Sequence, residues 1–145
     1  MDGCVFCKIV RGELPAAVVF EDEGFVVFLD RRPLFPGHCL VVPRQHYGTY
    51  LDLPPATVAQ LALATQLAAR AVQQGMEADG IYLAVNNTVS QSVPHVHVHV
   101  VPRRWHDGLQ GFFWPRQQYP GAEMERVRTA IAAAAAQLSS QSAQA

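Results

Sequence analysis

The sequence has no apolar run long enough to span a bilayer. Its first ten residues, MDGCVFCKIV, lack the basic stretch followed by an apolar one that marks a secretory signal. The expectation is a cytoplasmic protein with no membrane partner. Charge is sparse too: 11 Lys and Arg stand against 12 Asp and Glu, a formal net charge of -1. No basic stripe offers an electrostatic footprint for a nucleic-acid polymer, so any nucleotide chemistry belongs on a small molecule. Cysteine is limited to three, Cys4, Cys7 and Cys39. In a reducing compartment the spacing Cys-Val-Phe-Cys reads as a metal clip or a redox pair more readily than as a structural disulfide, or else as two incidental thiols beside a buried Phe6. Half of the residues are apolar and 16% are charged, a composition that argues against disorder. The 145 residues suit one domain able to bury an ordinary core without disulfide staples.

Along the chain, CVFCKIVRGELP reads as a short helical turn that groups Phe6, Ile9 and Val10 and stops near Gly12 and Pro15. AVVFED and GFVVFLD read as two strands joined by an acidic turn, and RRPLFPG as a loop. HCLVVP is a third strand that ends at Pro43, where the ladder donor disappears. From Pro54 to Met76, the positions Val58, Leu61, Ala62, Thr65, Ala69, Val72 and Met76 recur at helical spacing. IYLAVNN is a fourth strand, VSQSV a polar connection, and HVHVHVVPR a fifth strand in hairpin with the fourth. Beyond Pro102, RRWHDGLQGFFWPRQQYPG reads as an ordered, aromatic-rich loop. Met124, Val127, Ile131, Ala134 and Leu138 then line one side of a C-terminal helix. The expected class is α+β, an antiparallel sheet of about five strands with a long central helix and a C-terminal helix. A single domain is expected over residues 1–138, with a frayed tail, SSQSAQA, over 139–145.

The fifth strand carries the chemistry. Successive side chains of a strand point to opposite faces, so His95, His97 and His99 share one face while Val96, Val98 and Val100 share the other. A lone histidine is more often a satisfied polar residue than a site. Three in strict alternation repel one another when charged, so some should stay neutral near pH 7, each accepting at one nitrogen and donating at the other. Two chemistries compete for this face. The histidines could ligate a hydrolytic metal, which ordinarily needs a nearby carboxylate that neither the strand nor its preceding loop supplies. Alternatively, one imidazole attacks phosphorus while its neighbours hold the anionic oxygens. Ser92 and Gln91 before the strand, Asn86 at the end of the fourth strand and Asp30 at the end of the second suit a polar pocket of the second kind.

HVHVHVV, with the preceding QSV and the upstream PGH, resembles the signature of the histidine triad (HIT) family, Hint-like branch. The likeness extends through CVFCKIVRGELPA, EDEGFVVFLD, PGHCLVVPRQH and VNNTVSQSVPHVHVHVVPR. The resemblance implies a HIT-like fold, a symmetric homodimer, and a nucleotidyl-transfer enzyme acting on a purine nucleotide with no organic cofactor. It implies His97 as nucleophile on the α-phosphate, and His95 as the residue that orients it, in part through a main-chain carbonyl. His99 and His38 complete the histidine cluster. Ser92 falls where a hydroxyl meets the phosphate or leaving atom, Asn86 where an amide supports it, and Asp30 at the ribose. Val5, Phe6, Ile9 and Phe28 surround the base. The bacterial type further implies a structural zinc on Cys4, Cys7, His46 and His95.

The chain departs from the family pattern in places. NNTVSQSV is short and has Ser90 where a glycine is usual, and Pro94 stands directly before the triad. The activities open at this point are hydrolysis of a nucleoside phosphoramidate, of a dinucleoside polyphosphate, or of a related nucleotide through a nucleotidyl-histidine intermediate. A weakly catalytic nucleotide- or partner-binding module and metal-dependent hydrolysis at the triad are the rivals.

Overall fold

The computed structural model describes residues 3–109 and 118–142. The chain divides into two compact units, residues 1–107 and 108–145.

The first unit opens with α1 (Val5–Val10), which buries Phe6 and Cys7 and ends at Arg11, with Gly12 following at φ +74°. Glycine reaches that conformation without the steric cost of a Cβ. Strands β1 (Val18–Glu21) and β2 (Phe25–Leu29) form the first hairpin. Asp22 Oδ1 accepts the Gly24 and Phe25 amides at 2.8 Å and so closes its turn. Strand β3 (Cys39–Pro43) follows the Pro- and Gly-rich loop. A 3₁₀ turn over Tyr50–Asp52, boxed by Thr49 and Asp52, leads into α2 (Pro55–Gly75), which carries proline at its start, where no amide donor is lost. Strands β4 (Gly80–Ala84) and β5 (Val98–Arg103) complete an antiparallel sheet in the order β1-β2-β3-β5-β4.

Both faces of this sheet are covered, and they differ in chemistry. On one face, Val27, Val41, Val96, Val98 and Val100 pack with Leu61, Ala64, Ala68 and Val72 of α2. Each large aliphatic side chain among them contributes about 1.5–3 kcal/mol when fully buried. The buried stripe of α2 is Leu61, Ala64, Thr65, Ala68 and Val72. Ala62, expected on it, is exposed, because 3.6 residues per turn carry that position off the sheet-facing side. On the other face, Val26, Phe28, Leu40 and Val42 pack against Phe6 of α1. Cross-strand register sets Phe28 beside Leu40 and Leu40 beside His99, so α1, the apolar wall and the last triad histidine share one side.

The second unit contains α3 (Glu123–Ser142), which runs past Leu138 into the segment expected to fray. Two acids occupy its first turn, where they complement the helix dipole. Met124, Ile131 and Leu138 are exposed. GFFWP, expected to pack within an ordered loop, lies outside the described residues. No helix among the described residues is long and apolar enough to cross a membrane.

Candidate active site

The histidine segment enters the sheet later than alternation predicts. Pro94 has no amide proton, the His95 amide donates to Val93 O at 2.8 Å, and the Val96 amide donates to Tyr47 O at 2.8 Å. Ladder pairing with β3 therefore begins at Val98. The alternation of side chains survives: the valines enter the α2 layer, while the rings of His95 and His97 turn toward Phe6, at 6.0 and 5.0 Å between centroids. His95 is fully buried and His97 only 3% exposed.

Hydrogen bonds assign the neutral tautomers. His97 Nδ1 donates to the His95 carbonyl at 2.7 Å, leaving the Nε2 lone pair available. The Leu34 amide donates to His38 Nδ1 at 3.2 Å, so His38 carries its proton on Nε2 and donates it to His99 Nδ1 at 3.0 Å. His99 in turn bears its proton on Nε2. Its ring lies 4.8 Å from that of His97, so a nitrogen lone pair and an N–H donor stand on neighbouring rings.

Burial keeps these rings neutral. It lowers the pKa of His97 against the opposing pull of the His95 carbonyl and of Asp30. Burial, assisted by the neighbouring His97 and His38, takes His99 down to about 4. Burial also lowers His38, although the Asp30 carboxylate, 3.8 Å from its Nε2, works in the other direction.

A cavity opens over these groups, lined by Val5, Phe6, Ile9, Phe28 and Leu40 together with Asp30, Arg31, Ser92, His97 and His99. Asp30 Oδ1 accepts the Arg32 amide at 2.8 Å, which fixes its carboxylate at the end of β2. His38 reaches the site through His99. Asn86 and Gln91 do not line the cavity. Gln91 instead spends its amide on the main chain, accepting from Thr88 N at 2.9 Å and donating to Gly48 O at 2.7 Å. Leu40 and Arg31 join the lining although no motif pointed to them. The alternation of HCLVVP could have marked Leu40, which it puts on the His38 side, whereas nothing in the pattern of RRPLFPG marks Arg31.

Cys4, Cys7, His46 and His95 gather at a second place, with their ligand atoms within 4.8 Å of one another. Cys4 Sγ lies 3.5 Å and Cys7 Sγ 3.6 Å from His95 Nδ1, and Cys7 Sγ lies 3.3 Å from His46 Nδ1. Tetrahedral zinc with Zn–S of about 2.3 Å and Zn–N of about 2.0–2.1 Å separates a sulfur from a nitrogen by about 3.5–3.6 Å. His95 Nε2 donates to Pro43 O at 2.8 Å, which leaves Nδ1 unprotonated and turned to the thiols. Burial, then the neighbouring Cys4, holds the Cys7 thiol above its ordinary pKa, a penalty that a bound cation reverses. The donor set therefore fits zinc. Asp30, His38 and His99 also cluster, but they fit a metal poorly. With Leu34 N–H on His38 Nδ1, a metal at Nε2 would require an imidazolate.

A family model described as HIT domain matches residues 11–106. The chain belongs to the HIT family. This HIT protein is 39% identical over 108 residues to the adenylylsulfatase HINT3 of Arabidopsis thaliana, covering 73% of this chain and 55% of that one. It is 32% identical over 120 residues to the adenosine 5'-monophosphoramidase HNT1 of Saccharomyces cerevisiae, covering 79% of this chain and 72% of that one. Among solved structures, a zinc-bound histidine triad family protein from Mycobacterium smegmatis matches with a TM-score of 0.71 and 43% identity over 97% of this chain and 98% of that one. The five-stranded antiparallel sheet with its helices is the HIT fold.

Proposed function

We propose that this HIT protein is a nucleotide hydrolase that attacks the α-phosphate of a nucleoside phosphoramidate through a covalent nucleotidyl-histidine intermediate. The observation that carries the reading is the tautomer of His97: the His95 carbonyl holds the Nδ1 proton at 2.7 Å, so Nε2 keeps a free lone pair beside a cavity whose lining combines apolar side chains with Asp30 and Ser92. Nε2 forms a bond to phosphorus, the bond from phosphorus to the leaving nitrogen breaks, and that nitrogen departs with the electron pair on the Ser92 side, taking a proton that solvent water supplies through the Ser92 hydroxyl. Water then attacks phosphorus and releases a proton to solvent, the P–N bond to His97 breaks with its pair returning to Nε2, and a nucleoside monophosphate is released. His99 Nε2–H stabilises the developing phosphoryl charge. Asp30 receives the ribose diol, and Val5, Phe6, Ile9 and Phe28 enclose a purine.

Arg31 is the one Lys or Arg lining this cavity among the described residues. That leaves little positive charge for a polyphosphate chain, and it favours a phosphoramidate over a dinucleoside polyphosphate. The names of the HINT3 and HNT1 relatives, a sulfatase and a phosphoramidase of adenylates, support the same class. The Cys4, Cys7, His46 and His95 set would hold a zinc with every coordination position filled by protein. Such a metal supplies structure, tying α1 to the triad segment. A cytoplasmic homodimer is part of the proposal, and light scattering should give twice the chain mass. Acid-free quenching of enzyme mixed with an adenosine phosphoramidate, followed by peptide mass analysis, tests the mechanism. A nucleotidyl adduct is expected on His97, and an adduct elsewhere or none during steady turnover would refute it.

A further inference from the structure

The connection 86–92 is held unusually firmly for a loop. The Tyr50 amide donates to Asn87 Oδ1 at 2.7 Å, and Gln91 bridges Thr88 N and Gly48 O. Thr88 and Ser90 both sit at positive φ, +65° and +61°, where L residues, and β-branched ones above all, are disfavoured. A surface loop retains two such residues only where surrounding bonds over-determine it. Those bonds converge on the segment 46–50, whose Tyr47 carbonyl also accepts the Val96 amide of the triad. Ser92 follows the clamp directly. It borders both the cavity over His97 and a second, open groove lined by Cys4, His46, Gly48 and Pro94. Gly48, one end of the clamp, thus forms a wall of the groove on the far side of Ser92.

We propose that Gln91 is a positioning residue that sets the Ser92 hydroxyl against the departing atom by clamping the 86–92 connection to Gly48. It touches neither substrate nor phosphorus. Its effect rests on the reading of this site as a phosphoryl-transfer centre and falls on leaving-group departure, because Ser92 is the cavity residue adjoining it in the chain. A departing alkylamine is strongly basic and needs the hydroxyl in place, while an arylamine of low basicity departs with little help.

Gln91→Met and Gln91→Glu, the latter keeping the acceptor for Thr88 but placing a carboxylate against Gly48 O, should be assayed on two adenosine phosphoramidates, one with an alkylamine and one with a nitroaniline leaving group. About a tenfold loss of kcat is expected on the alkylamine substrate, with less than a twofold change on the nitroaniline one and KM unchanged on both. Asn87→Ala, which cuts the parallel tie to Tyr50, should show the same leaning more weakly and serves if the Gln91 variants fold poorly. Equal losses on both substrates, or no loss on either, would overturn the role of Gln91. A wild-type protein that cleaves neither substrate would overturn the underlying reading itself, a result separable from the first because it needs no variant.

Discussion

The main-chain carbonyl of His95 accepts the Nδ1 proton of His97 at 2.7 Å, while the side chain of the same His95 turns its own Nδ1 to Cys4 and Cys7. One residue thus orients the candidate nucleophile with its backbone and closes the candidate metal set with its ring. The two sites are adjacent, yet their groups are distinct.

His97→Ala should lower turnover of an adenosine phosphoramidate by about a thousandfold or more, since no neighbouring group presents a free nitrogen lone pair in its place. Nucleotide affinity should change little, because Asp30 and the apolar wall remain. Titration calorimetry with a nucleoside monophosphate checks the binding, and steady-state assays check the loss. Near-wild-type turnover by the folded variant would sink the mechanism.

Cys4→Ser combined with Cys7→Ser should abolish a zinc content of about one per chain and lower the melting temperature. Activity below that temperature should fall several-fold, through looser seating of His95, and far less than in His97→Ala. Elemental analysis with a thermal melt decides the first part. Complete loss of activity in the folded double variant, restored by zinc, would point to chemistry at the metal instead.

Stability should fall with acid in a window set by the histidines. A ring whose folded pKa lies below its ordinary 6.5 resists protonation in the native state, so the unfolded chain binds more protons and stability rises with pH across the interval between the two values. For His99, with a folded value of about 4, this contribution is complete above about pH 6.5 and is lost as pH falls toward 4. His38, lowered by burial, adds in the same direction. Thermal melts from about pH 7.5 to about pH 4.5 should show a decline that is shallower in His99→Gln, and identical slopes would count against the buried neutral ring.

Gly37→Ala should destabilise by about 2 kcal/mol, from a left-handed backbone cost of about 1–2 kcal/mol plus a steric overlap. Gly37 sits at φ +95°, and a Cβ there would lie 2.6 Å from Met76 Cγ. Gly12→Ala, at φ +74° with open space around it, should show the backbone cost alone. Denaturant titrations of the two variants separate the contributions, and equal losses would mean that the Met76 contact contributes nothing.

Local periodicity determined much of this protein. The runs read as the first three strands became β1 to β3 near their expected bounds, whereas β4 ends at Ala84, short of the Asn86 and Asn87 expected in it, and the helical repeat from Pro54 to Met76 became α2 over Pro55–Gly75. Alternation also divided the valines from the histidines, because strand geometry sets opposite faces whatever the fold around it. Motif resemblance also assigned Asp30, Ser92, His97, His99, Val5, Phe6, Ile9 and Phe28 to one site, and the structure gathers these residues on one cavity.

What tertiary structure alone decided are the questions answered by partners far away in the chain. Gln91 looks like a phosphate ligand in QSV, yet its amide is taken by Gly48, 43 residues distant. Which nitrogen of each histidine carries the proton depends on carbonyls and amides at Pro43, Leu34 and His95, and hydropathy carries no trace of these. The start of β5 at Val98 rather than at His95 follows from Val96 bonding to Tyr47 instead of to a sheet neighbour. Side-chain period is a property of a segment, whereas a hydrogen bond needs two groups at the right distance, and only the folded chain supplies that distance.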